Sequence, residues 1–127
     1  MIPIFLNYNK RRGSVETVNF NYLQLKYDED GLIPVIVQDK ETDSVLMMAW
    51  MNKTSLEKTI RTKSMVYWSR SRGEFWRKGE TSGNTQELVD LAVDCDQDCL
   101  LARVYQVGSA CHTNNKTCFF HSIKLIP

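Results

Sequence analysis

Residues 31–52 read GLIPVIVQDKETDSVLMMAWMN. Two apolar, β-rich runs, Leu32–Gln38 and Val45–Trp50, lie either side of a short polar break. Strands joined by so short a connection pair antiparallel. Immediately after them Asn52 or Thr54 can cap a helix, with Glu57 three residues after Thr54 as in a capping box and Leu56 and Ile60 as its apolar stripe. Further β-rich segments follow at Ser64–Ser69, Glu74–Lys78, Glu87–Asp96, Leu100–Val107 and Cys118–Ile126. The pattern predicts an α+β fold: a small, mainly antiparallel β domain with one principal helix over residues 31–127. Residues 1–30 are polar and weakly patterned, and the expectation there is a partly ordered lead-in.

Size and composition fit that reading. A chain of 127 residues makes one domain, and such a domain buries roughly two-thirds of its unfolded surface, so no metal or disulfide is needed merely to hold it together. With 43% apolar and 24% charged residues it is not a disordered or solvating chain. The amino terminus, MIPIFLNYNKRRG, has a five-residue apolar run with its charges behind it, which is neither an export signal nor a membrane span. The expectation is a cytoplasmic protein with no membrane partner.

The net charge of +1 conceals a segregation. Residues 61–86 hold six basic and two acidic side chains, while residues 87–98 hold five carboxylates and no basic residue. Near-neutrality weighs against bulk binding of nucleic acid. A cationic stretch beside an anionic one suggests one site with an anion and a cation to hold.

The anionic stretch reads ELVDLAVDCDQD. If it stays extended, Val89, Leu91, Val93 and Cys95 face one way and Asp90, Asp94, Asp96 and Asp98 the other. Carboxylates about 7 Å apart along a strand repel one another unless a cation lies near, and oxygen ligands favour Mg²⁺ or Ca²⁺. A solvated acidic face or turn is the plain alternative. In the extended geometry Cys95 points away from that ion.

Cys95, Cys99, Cys111 and Cys118 fall within 24 residues. In a reducing compartment they are thiols or metal ligands, and soft thiolates select zinc. Four thiolates including Cys99 would close a structural site, whereas three leave a position for water. Otherwise Cys99 and Cys118 are small core residues. His112 is the best acid/base candidate, with direct ligation as its alternative. His121 alternates with Phe119, Ile123 and Leu125 and is expected in the core.

The cationic stretch contains YWSRSRGEFWRKGETSGNTQ over residues 67–86. Ser69, Arg70, Arg72, Lys78, Thr81 and Ser82 offer charge and hydroxyls suited to phosphate oxygens, with Trp68 and Trp76 as faces for a nucleobase. The same interleaving fits a single-stranded nucleic-acid platform, or a hairpin turning at Ser71–Gly73 with buried tryptophans and solvated arginines.

In order and spacing, GLIPVIVQD, VLMMAWMN, YWSRSRGEFWRKGETSGN, DCDQD and ACHTNNKTCFF resemble the phosphoribosyl-AMP cyclohydrolases of histidine biosynthesis, from about Gly31 to Phe120. Two positions depart from the family pattern: Lys63, where relatives often have Gly, and Cys99, where Thr or Ala is common. The resemblance implies hydrolysis of the N1–C6 bond of phosphoribosyl-AMP, opening the adenine ring to an imidazole carboxamide. It implies zinc on Cys95 of one subunit and Cys111 and Cys118 of another, hence an intertwined homodimer, and magnesium on Asp94, Asp96 and Asp98. With this ligand pattern the expected chemistry is metal-assisted hydrolysis, zinc activating a water and His112 carrying the proton. The rival from another class is a non-enzymatic zinc module binding RNA through the Trp/Arg hairpin, which the adjacent acidic stretch disfavours. A thiol redox protein lacks a CxxC motif.

Overall fold

A computed structural model describes residues 3–5, 19–21 and 24–127. Two short strands, β1 (Pro3–Phe5) and β2 (Asn19–Asn21), pair antiparallel. The expected lead-in over residues 1–30 falls largely outside the described residues. Its last part packs on the domain: Leu25 is buried in the core and the Lys26 amide donates to the Gln97 carbonyl at 2.8 Å.

The remaining strands are β3 (Ile33–Asp39), β4 (Val45–Met51), β5 (Val66–Ser69), β6 (Glu74–Arg77), β7 (Gln86–Val93) and β8 (Leu100–Gln106). A four-stranded sheet runs β4-β3-β8-β7, and β5 with β6 forms a separate hairpin. The fold is α+β and mostly antiparallel, as expected, with one exception at the centre. There β3 runs parallel to β8, because the sheet is two antiparallel hairpins, β3/β4 and β7/β8, laid side by side. The intervening helix and β5/β6 hairpin provide the long crossover that a parallel pair requires.

The core follows strand alternation. Ile33, Val35 and Val37 of β3 are fully buried and meet Leu56 of the helix, Met65, Tyr67, Ala102 and Val104 in one cluster. Helix α1 (Lys53–Thr62) starts at Asn52, whose side chain accepts from the Ser55 amide at 2.8 Å while the Ser55 hydroxyl accepts from the Asn52 amide at 2.9 Å. The capping box is therefore Asn52 with Ser55, not Thr54 with Glu57. Buried Thr59 ties the helix to β5 by accepting the Val66 amide at 3.0 Å. Lys63 ends the helix in the left-handed region at φ 59°, a conformation that suits glycine better than lysine.

Two bulges redirect the outer strands. In β4 the register passes from Val37↔Met47 to Gln38↔Val45, leaving Leu46 as the extra residue. In β7 it passes from Leu88↔Val104 to Asp90↔Arg103, leaving Val89 extra. A bulge moves every later side chain to the opposite face. The predicted alternation over residues 87–98 fails at Val89, which is exposed while Leu88 packs on the core, but Leu91 and Val93 face the core as expected. The strand also stops at Val93, so residues 94–99 form a turn. The strand expected over Cys118–Ile126 does not form, and Ile123, Leu125 and Ile126 are exposed. His121 is exposed there too, not buried as its alternation suggested.

Candidate active site

Phosphate and thiol candidates far apart in sequence share one cleft. Arg72, Lys78, Thr81, Ser82, Cys111, His112 and Cys118 line a cavity of about 540 Å³, with Trp76 and Met47 among its apolar walls. The β5/β6 hairpin and the loop behind it supply the first four, and the segment after β8 supplies the thiols. Gly79 lets that loop fold back closely: its φ is +83°, and a Cβ there would lie 2.6 Å from the Asn84 carbonyl carbon.

The cysteine loop is held at both ends. Ala110 and Cys111 amides donate to the Lys116 and Asn115 carbonyls, and Asn114 turns the loop at φ 69°. At its far end the Cys118 amide donates to the carbonyl of the bulged Leu46 at 2.7 Å, and the Thr117 hydroxyl donates to the Val45 carbonyl at 2.8 Å. The β4 bulge thus gives the second thiol its anchor. Cys111 is buried, with its sulfur 2.9 Å from the Thr113 hydroxyl.

The two sulfurs are neighbours with opposite tendencies. Hydrogen bonds from the Thr113 side chain and backbone hold the Cys111 thiol below its ordinary range, and Cys118 and Lys78 assist. Desolvation, with the adjoining Cys111, pushes the Cys118 thiol up. Beneath them Tyr67 is buried, and burial together with the Cys118 charge raises its phenol well above the usual range. Its hydroxyl donates to Gln86, whose amide donates to Gln106 at 2.7 Å and to the Met47 sulfur at 3.4 Å. Tyr67, Gln86 and Met47 carry no mark of this role in the sequence, because neutral residues inside β-rich runs read as strand filling.

The other candidates lie elsewhere. The Arg70 guanidinium stacks on Trp50 with 4.5 Å to the ring centroid, beside a smaller recess of about 330 Å³ lined by Trp50, Trp68 and Ser69. The Ser69 hydroxyl accepts from the Arg72 amide at 3.3 Å inside the hairpin turn. Both tryptophans of that hairpin are half-buried.

Asp94, Asp96 and Asp98 sit together in the turn after β7, all exposed. Asp94 organises it, its carboxylate accepting the Asp98 and Cys99 amides at 3.0 and 3.2 Å, with Gln97 at φ 63°. Desolvation, a hydrogen bond with Asp94 and the charges of Asp94 and Asp96 raise the Asp98 carboxyl above its usual range. Asp90 is separate: it pairs with Lys40 at 2.9 Å and with the buried Arg103 at 3.6 Å. Cys95 is exposed on the acidic turn and Cys99 is half-buried behind it. Among the described residues no three His, Cys, Asp or Glu side chains are arranged to hold one metal ion within the chain. Nor does any described helix have the length and apolarity to cross a membrane.

Residues 47–120, which include both walls of the cleft, match the family model for phosphoribosyl-AMP cyclohydrolase. The chain is 56% identical to the phosphoribosyl-AMP cyclohydrolase of Ruegeria sp. (strain TM1040) over 109 residues, covering 86% of this chain and 84% of that one. The chain belongs to the phosphoribosyl-AMP cyclohydrolase family. Identity is 59% over 104 residues to the phosphoribosyl-AMP cyclohydrolase of Jannaschia sp. (strain CCS1), covering 82% of this chain and 87% of the relative. It is 51% over 112 residues to that of Chlorobium phaeovibrioides (strain DSM 265 / 1930), covering 87% and 82%. As a cyclohydrolase-family member the chain is an enzyme, a hydrolase of histidine biosynthesis.

Proposed function

We propose that this enzyme hydrolyses phosphoribosyl-AMP between N1 and C6 of its adenine ring, giving the phosphoribosyl-formimino imidazole carboxamide ribotide. The observation that carries the reading is the meeting in one cleft of two neighbouring thiols and His112 with Arg72, Thr81 and Ser82. The donor chemistry fits zinc: Cys111 and Cys118 are adjacent soft ligands with Cys111 already biased toward thiolate. A third ligand, Cys95, comes from a second copy of the chain, so the site is shared in a homodimer. Zinc, when bound, supplies a Lewis acid that makes water nucleophilic at neutral pH.

The chain's own side chains do the rest. His112 is exposed at the cleft wall, where it moves a proton as C6 is attacked and N1 departs. Arg72, Thr81 and Ser82 bind oxygens of one substrate phosphate, and Ser69 and Arg70 at the adjoining recess serve the other. The turn with Asp94, Asp96 and Asp98 has the oxygen donors for magnesium, whose charge assists phosphate binding.

Turnover followed by the ultraviolet absorbance of the opened imidazole, alongside zinc content per subunit, tests this. Wild-type protein is expected to hold zinc and turn over, and Cys111→Ser to lose zinc and about a thousandfold or more in rate. Full turnover by zinc-free Cys111→Ser protein overturns the proposal.

A further inference from the structure

Lys78 differs from the other cations of its segment. Arg70, Arg72 and Arg77 are exposed, whereas Lys78 is buried at 7% of its accessible surface. Among the described residues no carboxylate lies within salt-bridge distance of its ammonium. The lysine is set into the wall of the cleft with most of its side chain covered, a placement that favours an anion beside its charge. The aromatic neighbour, Trp76, is distant, its centroid 6.0 Å from Nζ, and supplies little.

Cys118 and Cys111 line the same cleft as Lys78, and as metal ligands their sulfurs would be the negative groups nearest that lysine in the cleft wall. The backbone pins it there. The Lys78 amide donates to the Met65 carbonyl at 3.0 Å, and Gly79 then folds tightly against Asn84. We infer that Lys78 is a positioning residue, the built-in counter-ion of the Cys111–Cys118 pair, which offsets the negative charge that two thiolates bring to a zinc ion and does not grip a substrate phosphate. The inference rests on the zinc reading above and assigns one residue a role within it. Its physical basis is charge: three thiolates on one divalent ion leave a net negative centre, and an ammonium in the wall of the same cleft stabilises that centre.

Zinc affinity measured by chelator competition at one fixed pH tests the inference on Lys78→Met and Lys78→Arg proteins, with the phosphoribosyl-AMP KM determined in parallel at saturating zinc. Lys78→Met is expected to bind zinc about tenfold or more weakly than wild type. Lys78→Arg, which keeps the charge, is expected to stay within about threefold, and the KM of zinc-loaded Lys78→Met within about threefold of wild type. Unchanged zinc affinity in Lys78→Met with a KM raised tenfold or more would show a phosphate-binding lysine and overturn the inference. Equal zinc losses in Lys78→Met and Lys78→Arg, with lowered thermal midpoints of the zinc-free proteins, would show a packing role and also overturn it. A wild-type protein that binds no zinc would instead remove the zinc reading itself.

Discussion

Two polar turns carry the cysteines, and they are built in opposite ways. The loop over residues 110–118 is fastened to the bulge in β4, buries Cys111 and faces Lys78 across a cleft. The turn over residues 94–99 is also closed by backbone hydrogen bonds and one left-handed residue, yet its carboxylates and Cys95 stand exposed. Among the described residues no cation forms a salt bridge with Asp94, Asp96 or Asp98. The first turn shares its cleft with a lysine of the same chain, Lys78. The second presents its carboxylates and one thiol at the surface, where, on the function proposed above, a cation and another copy of the molecule would meet them.

The strongest way to break this contrast is to mix two inactive proteins. Cys95→Ser and Cys111→Ser homodimers each lack every complete shared zinc site, but their heterodimer has one. Subunit exchange in an equal mixture is expected to restore about a quarter of wild-type turnover, since about half the dimers are mixed and half their sites intact. Activity that stays at the level of the separate variants would place all zinc ligands within one chain. Next in size, Thr113→Val removes the hydroxyl beside the Cys111 sulfur and is expected to weaken zinc binding about tenfold. Equal affinity in a chelator titration would show that Thr113 shapes the loop without tuning the thiol.

Smaller effects probe the acidic turn. Asp94→Ala removes the acceptor of two amides and is expected to cost about 1–2 kcal/mol in denaturant unfolding, whereas Asp96→Ala, which accepts no amide, stays within about 0.5 kcal/mol. Magnesium is expected to raise the thermal midpoint of wild type and of neither variant. Equal unfolding free energies for the two would deny Asp94 its organising role. The smallest expected change is Cys99→Ser: stoichiometric zinc and most activity are retained if three ligands suffice, and zinc loss matching Cys95→Ser would show a closed four-thiolate site.

Much of this was legible in the chain. The two β-rich runs around residues 39–44, the helix after Asn52 and the hairpin turning near Ser71–Gly73 are local features, set by alternation, capping and turn residues, and they form where expected. The spacing of Cys111 and Cys118 around a polar turn anticipated the adjacent thiols. Bulges were not legible. Nothing in ELVDLAVDCDQD announces that Val89 is skipped, because the skip is decided by what β8 offers opposite it, Val104 and then Arg103. Asp90 was drawn into the acidic face for the same reason, although Lys40 and Arg103 claim it. Cys118–Ile126 reads as a strand by alternation alone, but a strand needs a neighbour, and among the described residues none is paired with it.

Residue types and spacing by themselves determined the kinds of chemistry present: soft sulfur donors in one segment, hard oxygen donors in another, cations and hydroxyls in a third. They also carried the family, since its motifs are contiguous stretches of sequence. Which of these groups meet was decided only in three dimensions. The β4 bulge at Leu46 seats Cys118, the fold-back at Gly79 encloses Lys78 beside it, and the end of β7 sets Asp94, Asp96, Asp98 and Cys95 apart on their own turn. The physical reason is range: alternation, capping and donor type act over a few residues, whereas strand register and burial depend on partners as far as 72 positions away, as Thr117 on Val45 shows.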